Sequence, residues 1–310
     1  MHRAKRFLAP LLNSLANLSF DLNYKQLQLI EIDSLDAYQT YKKANLAEYE
    51  HRETTEKLLE GSKNGFYTSG LCYVCRKMVR FYTDYSYAFR DANNNQVPNW
   101  REHLVCPSCG LNNRMRGAIQ VFEQLCNPQP GDAIYLTEQI TPLFSWFAKN
   151  YKAVVGSEYL AKKVPFGQVD ERGLRNETLT GLSFSDNTFN CILSFDVFEH
   201  IPDYETAFSE CLRCLKPGGR LIFTVPFART SKTNIVRARL SSMGEIEHIL
   251  PPEYHGNPLS DSGSLCFYHF GWELLDQICS LGFKSASAYL YWSRKMGYLG
   301  KEQILFMAAR

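Results

Sequence analysis

Hydrophobic positions in the last two thirds of the chain alternate between two periods. "AIYL" (133–136), "KAVVGSE" (152–158) and "NCILSFDVF" (190–198) are apolar, β-prone runs of the kind a strand buried on both faces shows. "YETAFSECLRCLKPGG" (204–219) instead has a helical period. It sets Ala207, Phe208, Cys211, Leu212 and Leu215 on one face, and Pro217-Gly218-Gly219 is expected to end it. "RLIFTVPF" is the next strand and "GWELLDQICSLGF" a helix closed by Gly282. "KSASAYLYW" and "EQILFMAA" then follow as two strands with a short link, an antiparallel hairpin. Strands alternating with helices predict an α/β fold, a doubly wound, mostly parallel sheet with helices on both faces, over residues 119–310.

The first third of the chain has a different pattern. Residues 1–66 are helical in period, with Ser34 as N-cap and Gly61 as stop, but the apolar stripe is thin. The start, "MHRAKRFLAPLLNSLANLSF", faintly resembles a secretory signal. Its apolar run is broken by Asn13, Ser14 and Asn17 with no small-residue cleavage site, so a short amphipathic helix is expected. No stretch approaches the ~20 apolar residues of a membrane span. Residues 67–118 are rich in aromatics around the turn "DANNN".

Cysteine usage gives this middle region its chemistry. Of ten cysteines, four form two C-x-x-C pairs, Cys72/Cys75 and Cys106/Cys109. Each pair has the spacing that lets two thiolates hold one ion, and the residues between allow a hairpin that joins the pairs. Four thiolates predict a closed, structural Zn2+ site in a module resembling a zinc ribbon. In a chain of 310 residues this usage points to a reducing, cytoplasmic setting. Net charge is +2, which supports nucleic acid as a partner only weakly. Arg114 and Arg116 are either a solvated face or a contact for an anionic substrate.

The stretch "LSFSDNTFNCILSFDVFEHIPDYETAFSECLRCLKPGGRLIFTVPF" (182–227) resembles the central part of class I S-adenosylmethionine-dependent methyltransferases. The matching elements are "SDNTFN", "DVFEHI", "LKPGGRLIF" and "SLGF", in order, across about 130–310. The resemblance implies a seven-stranded Rossmann-like sheet and S-adenosylmethionine as cofactor. A doubly wound sheet binds its ligand beyond the carboxyl ends of its strands. Glu158, at the end of the second strand, can accept both ribose hydroxyls there, the role the resemblance also implies.

The first loop departs from the family. The usual acidic position falls on Tyr135, and the three glycines of the usual turn fall on Thr137, Gln139 and Thr141. Either side chains hold the cofactor, with Thr137 and Glu138 replacing the usual contacts and Glu138 meeting the cofactor's amino group, or the pocket is altered and the protein is a scaffold. At the adenine end the usual aspartate is replaced by Thr178, preceded by Glu177. Asp196, Glu199 and His200 follow the fourth strand, where they serve either the ligand or a helix N-terminus.

An insertion at about 228–270 is long enough to carry function. It holds "PPEYHGNP", which makes His255 the first candidate for a general base, ahead of His248 and His200. No N-P-P-[YF] stretch follows the fourth strand, so amino-group methylation of adenine or glutamine has no support. The expected activity is methyl transfer to an oxygen or nitrogen of a small-molecule acceptor. The alternatives are an RNA or protein methyltransferase that grips its substrate through the zinc module, and a non-catalytic scaffold.

Overall fold

The computed structural model describes residues 27–161 and 164–310. The expected N-terminal amphipathic helix lies outside them. Two compact units divide the chain. One comprises Glu53–Leu125 and Tyr291–Gln303 with the described residues up to Leu29; the other comprises Ile30–Arg52, Cys126–Leu290 and Ile304–Arg310.

The elements run in chain order from β1 (Ile30–Ile32) through α1 (Leu35–Ala44) and α2 (Leu46–Leu59) to β2 (Phe66–Cys72) and β3 (Lys77–Thr83). Next come β4 (Phe89–Arg90), β5 (Gln96–Val97), α3 (Trp100–His103) and α4 (Asn113–Cys126). The α/β part follows with β6 (Ala133–Leu136), α5 (Pro142–Asn150), β7 (Ala153–Gly156), β8 (Phe189–Phe195), α6 (Tyr204–Cys214) and β9 (Leu215–Thr224). The insertion supplies β10 (Ile235–Val236), β11 (Ala238–Leu240), β12 (Ile246–His248), β13 (Tyr254–Asn257), β14 (Ser260–Leu265) and β15 (Tyr268–His269). α7 (Glu273–Ser280), β16 (Ser285–Ser293) and β17 (Tyr298–Ala309) complete the series.

The central sheet has seven strands in the order β1-β16-β17-β9-β8-β6-β7. β7, β6, β8 and β9 are mutually parallel, while β17 runs antiparallel to β9 and β1 antiparallel to β16. The predicted last hairpin is therefore present. One edge was not foreseen: β1 precedes both units' cores in sequence yet adds to β16, pairing Ile30 with Leu290. Beyond β7 the sheet is reduced to an isolated parallel bridge, Glu158 to Asn176. Apolar side chains from this sheet and α6 form an aromatic core. Phe198 stacks on Phe208 at 4.0 Å and Phe223 on Phe306 at 5.2 Å.

Local chemistry sets the helix ends. The α1–α2 break falls at Asn45, whose N–H and side-chain amide both turn back to the Tyr41 carbonyl. α6 starts at Asp203, which accepts from Thr206 N, and ends at Cys214, earlier than its periodicity implied. Pro217-Gly218-Gly219 does not close the helix. It sits in the first residues of β9, where the register with β8 shifts between Phe189 and Cys191 and Gly218 takes φ 79°.

In the other unit, β2 and β3 pair from Phe66–Thr83 to Cys72–Lys77, bringing the first cysteine pair to the hairpin's end. Phe66, Phe81, Trp100, Leu104 and Leu299 pack around it. Among the described residues, the charged groups buried here include Glu56 and Arg116. Glu56 accepts from Trp292 Nε1 and from the N–H of Gly300 and Lys301. Arg116 is 0% exposed and donates to the carbonyls of Met296, Gly297 and Leu104, with its guanidinium 4.0 Å from the Phe81 ring centroid. Arg116 is thus neither a solvated face nor a substrate contact, and Arg114 forks onto Glu102.

Arg116→Met keeps the chain's bulk and removes three charged hydrogen bonds. Bonds to charged groups contribute ~1.5–3 kcal/mol each, partly offset by the cost of burying the cation. A net loss of about 3 kcal/mol is expected in urea denaturation; an unchanged midpoint would show that the buried cation contributes nothing.

Candidate functional site

The loop after β6 is built from side chains where the family's loop uses glycine. Tyr135, at the family's acidic position, is fully buried; its hydroxyl meets Ser157 Oγ at 2.6 Å and its ring stacks on Phe189. Thr137 donates to Ser194 Oγ at 3.0 Å. The Gln139 side chain donates to the Gly173 carbonyl and accepts from Arg175 N. Thr141 caps α5 by accepting from Phe144 N, with Pro142 in the first turn. All three former glycine positions therefore have a structural task that a glycine cannot perform.

Glu158 locks this arrangement. Its Oε1 accepts from the N–H of both Gln139 (2.7 Å) and Ile140 (3.1 Å). Burial raises the carboxyl's pKa, and those two N–H groups pull it back. Room for the loop comes from the neighbouring strand. A methyl group on Gly156 would fall 2.4 Å from Phe144 Cε2 and 2.7 Å from the Glu138 carbonyl oxygen. Glu138 itself is half-buried in the loop.

The remaining predicted positions lie along the same edge of the sheet. Glu177 is buried and engaged: it accepts from Arg175 Nε at 2.7 Å and from the Ser183 N–H and hydroxyl. Thr178 meets the Thr180 hydroxyl at 3.0 Å. Asp196 follows β8 in the left-handed region, φ 56°, and accepts from Thr224 Oγ1 at 2.9 Å. Such a conformation in a non-glycine residue stores strain and marks a position held by its surroundings.

The insertion brings its histidines to the end of β8. His255 Nδ1 lies 3.3 Å from Glu199 Oε1, and its Nε2 lies 3.1 Å from Glu253 Oε1. The Cys266 thiol, then the Glu199 carboxylate, push the His255 pKa up to about 11. With an acidic group on both sides the ring keeps its proton at neutral pH, so the geometry argues against a free base there. His200 differs: its Nδ1 donates to the Leu265 carbonyl at 2.7 Å, and its Nε2 lies 3.6 Å from Glu199 Oε1. His248 is exposed on β12. Sequence reasoning missed Glu253, Cys266 and His269 in this cluster. Only the β13–β14 register and the β10–β15 pair bring them together.

In the cysteine-containing unit the four predicted thiols converge. Their sulfurs lie within 4.8 Å of one another, with Cys72 and Cys109 at 3.9 Å and Cys75 and Cys106 at 3.7 Å. Each knuckle is closed by local bonds: Cys75 N donates to Cys72 Sγ, and Gly110 N, at φ 73°, to the Cys106 carbonyl.

Comparison with known proteins agrees with this architecture. A family model described as a methyltransferase domain matches residues 142–223, from α5 to the end of β9. Ubiquinone biosynthesis O-methyltransferase of Rhizobium johnstonii is 33% identical over 98 residues, 29% of this chain and 39% of that protein. Demethylmenaquinone methyltransferase of Anoxybacillus flavithermus is 31% identical over 94 residues, 29% of this chain and 38% of that protein. The chain thus spans about two fifths of the length of these curated relatives. An S-adenosylmethionine-dependent methyltransferase structure from Mesorhizobium loti aligns with 62% of this chain and 98% of its own, at 15% identity and a TM-score of 0.38. Residues 142–223 thus carry the match to a methyltransferase domain. Among the described residues no helix is long and apolar enough to cross a membrane.

Gly156→Ala tests the rebuilt loop. Its new methyl meets a backbone carbonyl that cannot step aside, and overpacking of this kind costs ~1–3 kcal/mol. Gly131→Ala, with nothing within 4 Å, is the control. Thermal denaturation should separate the two variants; equal melting temperatures would mean the loop yields freely.

Proposed function

We propose that this domain transfers a methyl group from S-adenosylmethionine to an oxygen or nitrogen of a small-molecule acceptor. The observation that carries the reading is the match to a methyltransferase domain over residues 142–223, the cofactor side of the sheet. The matched relatives include a ubiquinone biosynthesis O-methyltransferase and phosphoethanolamine N-methyltransferase 2 of Caenorhabditis elegans. Arg114 and Arg116, the sequence's support for a macromolecular substrate, are used within their own unit.

The donor set fits the cofactor. S-adenosylmethionine has no phosphate, so it does not need the loop N–H groups, and two of those are turned onto Glu158. What it needs is acceptors for ribose hydroxyls and for an ammonium group. In this reading Glu158 offers its second oxygen to the ribose, and Glu138 faces the amino-acid end, with Thr137 beside it. Glu177 and Thr178 flank the adenine side, Glu177 also holding Arg175 and Ser183, and Asp196 stands at the end of β8. When bound, the sulfonium supplies an electrophilic methyl group. The chain's own task is to align the acceptor and take its proton. Of the three candidate histidines, His200 has the tautomer for that step.

The four-cysteine site in turn supports a structural Zn2+, because four thiolates complete a tetrahedron with no open position. Its charge of about −2 would lie near the buried Arg116 cation, whose field reaches Cys72. Cys106→Ser is expected to release one zinc per chain, read by elemental analysis. Zinc content unchanged by that substitution would remove the metal from this site.

Glu158→Gln separates the two tasks of that side chain. The amide oxygen still accepts from the loop, whereas the ribose loses its carboxylate. Calorimetric titration should show S-adenosylmethionine binding at least ~10-fold weaker, about 1.4 kcal/mol, with the melting temperature retained. An unchanged dissociation constant would place the ribose elsewhere. Glu138→Gln should weaken S-adenosylmethionine and S-adenosylhomocysteine but not adenosine, which lacks the amino-acid end. Equal weakening of all three would make Glu138 a loop support. No binding of any of them by the unaltered protein would leave the scaffold reading.

A further inference from the structure

We infer that the insertion carries a second transition-metal site, with Glu253, His255, Cys266 and His269 as ligands and Zn2+ as the fitting ion. The hairpin of β13 and β14 creates the convergence. Tyr254 pairs with Leu265, so Glu253 stands opposite Cys266, whose N–H donates to the Glu253 carbonyl at 2.8 Å. Strand alternation returns His255 to the Glu253 face. β15, paired with β10, adds His269. Glu253 Oε1 lies 3.1 Å from His255 Nε2 and 3.0 Å from His269 Nε2. The donor atoms of Glu253, His255 and Cys266 all lie within 4.8 Å of one another, and the Cys266 thiol also contacts His269.

Spacing decides between a chance cluster and a site. A tetrahedral zinc with bonds of ~2.0–2.3 Å has edges of about 3.3–3.8 Å. The two distances found fall short of that by a few tenths of an ångström, which side-chain rotation supplies. One thiolate, two imidazoles and one carboxylate form a donor set suited to Zn2+ and unsuited to Mg2+ or Ca2+. With four protein ligands the site is closed and structural.

Glu199 is the independent observation. It is 0% exposed, and the imidazoles of His255 and His200 face its Oε1. Its Oε1 faces His255 Nδ1 at 3.3 Å. Without a metal the ring carries a proton on each nitrogen, one facing Glu199 and one facing Glu253. A metal ion would replace the Nε2 proton and leave Nδ1–H on the Glu199 carboxylate, the usual outer arrangement of a zinc ligand. Glu253 has its own support, since Arg237 Nη2 lies 3.2 Å from Oε2. Loading displaces the thiol proton, which in the metal-free site points to the Tyr268 carbonyl. Filling the site would tie residues 253–269 to the end of β8, beside His200.

The test uses the full chain loaded with Zn2+ and desalted, and its readout does not depend on cofactor binding or activity. Two zinc ions per chain are expected. Cys266→Ser and Cys106→Ser should each leave one, and the double substitution none. Glu199→Gln should weaken the Cys266-dependent zinc about 10–100-fold in a chelator competition while leaving the other ion unchanged. Loading with Co2+ gives a second measurement that needs no variant of the four-cysteine site. The difference spectrum between the unaltered protein and His269→Gln should show tetrahedral d–d bands and a weak, single-thiolate charge-transfer band. Zinc content that does not fall in Cys266→Ser, or a Co2+ spectrum unchanged by His269→Gln, overturns the site.

Discussion

The loop after β6 depends on one carboxylate oxygen. Glu158 Oε1 accepts two consecutive loop N–H groups and so fixes a turn that has no glycine to relax it. A glycine loop reaches its shape through backbone freedom. This loop reaches a comparable position through bonds from Thr137, Gln139, Thr141 and Glu158, each with a defined partner. The exchange makes the turn sensitive to side-chain chemistry and less tolerant of φ/ψ change. It also links two things that are separate elsewhere, because the group expected to face ribose is the group that holds the loop.

How much of this was legible depends on the range of the interaction. The strands of the sheet, the start of the helix at Tyr204 and the last hairpin are local patterns that appear near their expected places, although the helix ends early and β7 is a part-exposed edge strand. The four cysteines converge because two short knuckles encode their own geometry. The Pro217-Gly218-Gly219 stretch was misplaced because glycine after a helical run signals a stop without saying which element follows. β1 was missed for a different reason. Three residues, "IEI", carry almost no periodic signal, and their partner is Leu290. Arg116 looked like surface because an arginine beside polar neighbours usually is; its three carbonyl partners come from 104, 296 and 297. The Glu199–His255–Cys266 cluster rests on hairpin register, which a single sequence does not reveal.

Buried charge is treated consistently across the chain. Glu56, Arg116 and Glu177 are each surrounded by several donors or acceptors, as the cost of desolvation requires. Glu199 stands apart from them, buried with only imidazoles near it. A polar group left in that condition is expensive, and folds retain such groups where something else completes them.

The pairing of Ile30 with Leu290 has a consequence for how the chain acquires its structure. The edge strand emerges from the ribosome well before its partner and waits until Leu290 has been made. Until then β1 cannot dock on the sheet, and β17, which joins β9 to β16, is also missing. The parallel strands β6 to β9 can associate during synthesis, but with their β9 edge open to other chains. Synthesis thus passes through a stage with an unprotected apolar strand, and the slow closing event is a long-range pairing. Yield on expression should therefore respond to temperature and chaperone supply more than the stability of the finished sheet would indicate.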